Sequence, residues 1–104
     1  MLEIRPSPVA AAPNLAEVRG RLLCIRPERG GPGTVWDIAV DEAQDVGGLP
    51  NYARPYLGTT IAAYAHAQLR SDVREQQPFR ARIAYRGGAN GDRFVIVEDA
   101  VHPL

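Results

Sequence analysis

The chain is predicted to fold as an all-β protein, a small five-stranded barrel in one domain, and three observations carry that prediction. Apolar and polar residues alternate with period two in stretch after stretch, the mark of half-buried strands. Gly-rich segments at 26–34 and 87–92 follow two of these stretches and supply the positive-φ residues of hairpin connections. At 104 residues, with 45% hydrophobic and 23% charged, the chain has room for one modest core and not two.

Residues 1–14 hold Pro6, Pro8 and Pro13 and show little periodicity, so they read as an extended or disordered arm before a domain at 15–104. A first strand follows at about 16–26, where Val18, Gly20, Leu22 and Cys24 alternate with Arg19, Arg21, Leu23 and Ile25. On that pattern Cys24 is a small buried hydrophobe. Trp36, Ile38 and Val40 alternate with Asp37, Ala39 and Asp41 in a second strand, with Trp36 in the core. From there two readings stand: residues 41–46 form a helical turn, or they continue the strand past a bulge. Gly47, Gly48 and Pro50 end either one, and Tyr52 and Tyr56 pack an irregular connection down. A third strand at about 59–67 sets Thr60, Tyr64 and His66 on one face and Ile61, Ala63 and Ala65 on the other. Asp72 and Glu75 are spaced to cap one helical turn, which Pro78 stops. In the fourth strand Phe79, Ala81, Ile83 and Tyr85 alternate with Arg80, Arg82, Ala84 and Arg86, and a fifth strand follows the 87–92 turn.

Strand, Gly-rich loop, strand, connection, strand, helical turn, strand, Gly-rich loop, strand is an order that resembles the OB-fold, a Greek-key barrel. The residues that carry the resemblance are VRGRLLCIRPERGGPGTVWDIAV at 18–40 and PFRARIAYRGGANGDRFVIVED at 78–99. The pattern spans about 90 residues and includes no diagnostic motif. The resemblance implies that single-stranded nucleic acid lies across strands two and three, gripped by the loops at 27–34 and 87–92. It places Tyr64 and His66 where flat rings stack on bases, with Arg29, Arg86 and Arg93 around the loops. Asp37, Asp41, Glu42 and Asp45 depart from the pattern, because they set carboxylates where phosphates would run.

Charge is segregated although it sums to zero. Residues 15–34 hold four arginines against two glutamates, 79–93 hold four arginines against one aspartate, and 35–48 are purely acidic. Strand one pairs with strand four in such a barrel, so Arg19, Arg21, Arg80 and Arg82 converge on one outer patch. Either Asp37 and Asp41 satisfy them as cross-strand ion pairs, or the patch is an anion site. All 12 basic residues are arginine. A GC-rich coding sequence accounts for that as well as phosphate recognition does, so the missing lysines are not evidence of a site.

Other chemistries are poorly supplied. A neutral chain has no global footprint for nucleic acid or anionic membrane. Cys24, His66 and His102 are far apart and lack metal-ligand spacing. Ser7 and Ser71 sit in no nucleophile elbow. The 30–33 loop precedes a strand, not a helix, and is no phosphate cradle of the nucleotide-binding kind. The expectation is a non-enzymatic binding module without cofactor or metal, in the cytoplasm, as the lone cysteine and the proline-interrupted N-terminus suggest. Its expected ligand is single-stranded nucleic acid or a similar polyanion, bound through Arg29, Tyr64, His66, Arg80, Arg82, Arg86 and Arg93. The alternative is a protein-interaction module, using the arginine strands and the Tyr52–Tyr56 segment, or an accessory subunit of a larger complex.

Overall fold

Alternating residues build five strands, β1 (Ala16–Pro27), β2 (Thr34–Asp45), β3 (Thr60–Ala65), β4 (Pro78–Arg86) and β5 (Arg93–Pro103). The structure is a computed structural model and describes residues 13–66, 72–87 and 93–104, with the backbone alone at 98–100. The strands close into a barrel in the order β1-β2-β3-β5-β4, and antiparallel pairing of β4 with β1 completes the circle. β3 runs parallel to β5, with Tyr64 beside Val95. One face of every strand fills the interior. Val18, Leu22, Ile38, Val40, Phe79, Ile83 and Ile96 are fully buried there, and Trp36 packs edge-on against Phe79 at 6.0 Å. Core and strand order agree with the expected small all-β barrel.

Two bulges decide what lies outside. In the β1–β2 pairing Arg19 faces Glu42 while Gly20 faces Val40, so Asp41 is an extra residue on β2. The strand therefore continues past a bulge to Asp45, and the bulge leaves both Asp41 and Glu42 exposed. Gly20 sits at this crossing because a Cβ there would collide with the carbonyl oxygen of Ala39. The second bulge, at Leu23 on β1, brings Cys24 opposite Asp37 and reverses the alternation beyond it. Cys24 is consequently half-exposed and donates its thiol proton to Asp37 Oδ2 at 2.9 Å. The core position expected for it is corrected by that one-residue slip.

The connections pack as the aromatics suggest. After β2 a short 3-10 turn, Arg54–Tyr56, lies over one end of the barrel. Tyr52 leans on Tyr85 at 5.9 Å and Tyr56 meets Phe94 edge-on at 5.4 Å. Asn51 organises this segment: its Oδ1 accepts from the N–H groups of Ala53 and Arg54, and its Nδ2 donates to the Ala43 carbonyl. Between β3 and β4, residues 74–77 form a β-turn in which Gln77 N–H donates to Arg74 O at 3.1 Å, and this replaces the helical turn expected between Asp72 and Pro78. Glu75 does not cap a helix here. Its carboxylate accepts the Ile25 N–H at 2.7 Å, and Gln76 Nε2 donates to Leu23 O at 2.9 Å. The cause is the edge of β1 beyond Arg21, where pairing with β4 ends and the backbone needs other partners.

Asn14 seals the barrel beside the Tyr52–Tyr56 connection, where the Leu15 N–H donates to Pro50 O at 3.1 Å. It is buried, donates Nδ2 to Tyr85 O at 3.0 Å and accepts the Tyr85 N–H on Oδ1 at 2.7 Å. Its amide thus serves β4 as one residue of an additional strand would.

Candidate functional site

The β1–β2 loop folds back on itself, with Glu28 N–H donating to Gly33 O at 2.9 Å. This turns the Glu28 side chain toward the start of β5, where Arg93 Nη1 donates to its Oε2 at 3.0 Å. The Arg93 guanidinium carbon lies 3.9 Å from the centroid of the Tyr64 ring. Gly33 meets the edge of that ring, since a Cβ at Gly33 would stand 2.5 Å from Tyr64 Cε1 and 2.7 Å from the Ala65 carbonyl oxygen. Loop, β3 and β5 therefore meet at Tyr64, which is half-buried among them.

Around this point the structure gathers most of the expected residues. Arg86 stands directly opposite Arg93 across β4 and β5 and is exposed, with one weak contact to its own neighbour, the Tyr85 carbonyl, at 3.4 Å. His66 follows Tyr64 by two residues and is exposed. Arg29 is exposed at the tip of the β1–β2 loop and has no ion pair among the described residues. Arg80 and Arg82 lie elsewhere. They project from the outer face of β4 four to six residues earlier, which at the usual rise is about 13–20 Å away. The 87–92 turn, expected as the second gripping loop, lies outside the described residues apart from Gly87.

The acidic strand behaves differently from either expectation. Asp37 binds Arg26, with Nε on Oδ2 and Nη2 on Oδ1, both at 2.8 Å. The Arg26 hydrogen bonds, then that of the Cys24 thiol, hold the Asp37 carboxyl below the usual range, while the same carboxylate pushes the Cys24 thiol up. Asp45 is lowered by hydrogen bonds from Asn51 and then Arg54. Neither Asp37 nor Asp41 pairs with Arg19, Arg21, Arg80 or Arg82. Arg82 instead stands 3.7 Å from Glu17, and Arg21 donates to the Gln76 carbonyl at 2.9 Å. Arg80 and Arg86 have no carboxylate within ion-pair reach among the described residues. The cross-strand pairing of these arginines with Asp37 and Asp41 is therefore corrected. The Leu23 bulge sets Asp37 beside Arg26 within the β1–β2 hairpin itself.

Sequence reasoning passed over Glu28 and Gly33. Glu28 lies 65 positions from Arg93 and leaves no local trace of the pairing. Gly33 did leave one: a glycine immediately before a strand, at a place needing no left-handed backbone, signals close approach of another group. Among the described residues no group of three His, Cys, Asp or Glu side chains could hold a metal ion. Comparison with protein-family models, with curated proteins and with solved structures gives no match in any of the three.

Proposed function

We propose that this chain is an OB-type barrel that binds single-stranded nucleic acid or a similar polyanion at the end where Tyr64, Arg86 and Arg93 meet. The strand order, with β3 parallel to β5 and β4 closing on β1, supports the OB assignment. The single observation that carries the functional reading is the state of the charges. Arg29 and Arg86 are exposed and have no carboxylate within ion-pair reach among the described residues, while Asp37 and Asp45 are neutralised by Arg26 and Arg54. Arg93 over Tyr64 adds a flat cationic wall on which a base can stack. Glu28 fixes that wall in place and leaves Arg29 and Arg86 to meet phosphates. His66 extends the stacking surface along β3. Nothing in this arrangement calls for bond-breaking chemistry, and the proposed activity is binding alone.

Fluorescence anisotropy with labelled single-stranded DNA and RNA, at low and then raised salt, tests the reading. Phosphate-driven binding weakens linearly in log–log form, with a slope of about −0.7 per phosphate neutralised. The double variant R29Q/R86Q is expected to flatten that slope by about 1.4, equally for all sequences. Absence of binding at low salt, or a slope untouched by the double variant, would sink the proposal. A second reading has one observation in its favour: Tyr52, Tyr56 and Leu57 remain 42–46% exposed on the connection over the barrel end. Tyrosines of this kind anchor protein interfaces. Under that reading Y52A/Y56A abolishes association with a partner protein and leaves oligonucleotide anisotropy flat throughout.

A further inference from the structure

Arg19 and Arg80 face each other directly in the β1–β4 pairing, and both project from the outer side of the barrel. Like charges in opposed positions destabilise a sheet unless a counter-charge joins them. Here the side chains are half-buried, and neither has a carboxylate within ion-pair reach among the described residues. Arg19 Nε is also completely shielded from solvent and makes no hydrogen bond. A buried donor left unpaired is uncommon and costly, and a bound ion is one of its ordinary explanations. The neighbours sharpen the picture. Arg21 and Arg82 flank the pair, and Glu17 and Glu42 are the carboxylates next to it in register. Of these four arginines Arg82 stands within ion-pair reach of a carboxylate, Glu17, and the charges of Arg19 and Arg80 have no paired counter-charge among the described residues.

We propose that Arg19 and Arg80 hold a phosphate dianion, free or as a monoester, between them on the outer face of β1 and β4. Two guanidinium forks present their donors to one tetrahedral oxyanion, and bidentate arginine contacts suit phosphate geometry. Charge selects the dianion, because a phosphodiester or a single carboxylate would leave one positive charge uncompensated. His102, opposite Arg80 on β5, borders the site on its far side. The proposal does not rest on the nucleic-acid reading, since Arg80 and Arg86 lie about 20 Å apart along β4.

Thermal unfolding of the full chain, with inorganic phosphate titrated against sodium chloride at matched ionic strength, tests it. Above its second ionisation, phosphate is expected to raise the midpoint saturably and beyond chloride, with dimethyl phosphate, a monoanionic diester, clearly weaker. R80Q and R19Q are each expected to lose about tenfold or more in phosphate affinity, the range for a charged hydrogen bond. R80Q also removes the like-charge pair, so its midpoint in chloride is expected to equal or exceed that of the unmodified chain, which separates lost binding from misfolding. R86Q should respond as the unmodified chain does. E42Q, which removes the carboxylate opposite Arg19, should bind more tightly. No stabilisation beyond chloride, an R80Q that keeps full affinity, or a response lost in R86Q would each overturn the proposal. None of these outcomes settles whether oligonucleotides bind at the Tyr64 end, so the two readings fail separately.

Discussion

Replacing Gly33 with alanine is the sharpest test of the loop closure that builds the Tyr64 end. The new Cβ would lie 2.5 Å from Tyr64 Cε1, 2.6 Å from its hydroxyl oxygen and 2.7 Å from the Ala65 carbonyl, where ordinary contacts begin at 3.4 Å. Each approach is thus short by about 0.7–0.9 Å, and overpacking of this kind typically costs about 1–3 kcal/mol. The Tyr64 ring can swing away, but Ala65 belongs to β3 and is paired in register with Thr34. Moving the ring also breaks the Arg93 stack, which adds about 0.5–1 kcal/mol at an exposed site. Against this stands a gain of about 0.4–1 kcal/mol, because alanine lowers the entropy of the unfolded chain where the backbone tolerates it. The collision wins, and a net loss of about 2 kcal/mol is expected.

Urea unfolding measures that loss, and proton NMR reads the geometry directly. The Arg93 side-chain protons over the Tyr64 ring should resonate upfield in the unmodified chain and relax toward ordinary values in G33A. G30A provides the contrast. Gly30 has φ +78° and open space around its missing Cβ, so alanine costs about 1–2 kcal/mol of backbone strain there without reaching Tyr64. G30A should lose stability and keep the upfield Arg93 signals. A G33A variant as stable as the unmodified chain, with Arg93 shifts unchanged, would refute the close approach of loop to ring.

Two other perturbations follow from the hydrogen-bond pattern. N14A leaves the N–H and the carbonyl of Tyr85 unpaired in a partly buried place, and the expected loss is about 1–3 kcal/mol; a change under about 0.5 kcal/mol in urea unfolding, the size of an ordinary surface substitution, would refute the strand-like role of that amide. The depressed Asp37 carboxyl contributes stability that is fully present above its unfolded value, about 3.9, and is lost as pH falls through the lower folded value. D37N should therefore flatten the acid limb of the urea midpoint against pH, and an acid limb of the same steepness in both chains would count against the Arg26–Asp37 pair.

What could be read in advance was whatever depends on the period of a strand. Trp36, Ile38 and Val40 lie inward, as do Phe79, Ala81 and Ile83, because their alternation is unbroken and burial on one face enforces it. Cys24 escaped because the Leu23 bulge inserts one residue into β1 without any glycine or proline to announce it. That same slip decided which arginine meets Asp37. The Asn14–Tyr85 and Glu28–Arg93 contacts bridge 71 and 65 positions, and contacts of that range follow from barrel closure, not from local pattern. The convergence of Tyr64, Arg86 and Arg93 could be anticipated only from the strand order, whereas the hold of Glu28 on Arg93 needed the coordinates of both.

The acidic strand remains the strongest argument against a polyanion, and distance answers it. Asp41 and Glu42 are the carboxylates of β2 with no ion pair among the described residues. Tyr64 stands beside Val35, at the opposite end of the same strand. Six residues of strand separate Val35 from Asp41, about 20 Å at the usual rise. The Debye length at physiological salt is about 8 Å, so that separation exceeds two screening lengths. Asp37 lies closer, but its charge is cancelled in place by a bidentate arginine. Repulsion from β2 therefore reaches the Tyr64 end only weakly, while Arg29 and Arg86 would meet the proposed polyanion at contact. Glu42, by contrast, stands directly opposite Arg19. Its carboxylate opposes an anion at the Arg19–Arg80 pair and not one at Tyr64, so E42Q should strengthen phosphate binding while leaving oligonucleotide binding unchanged.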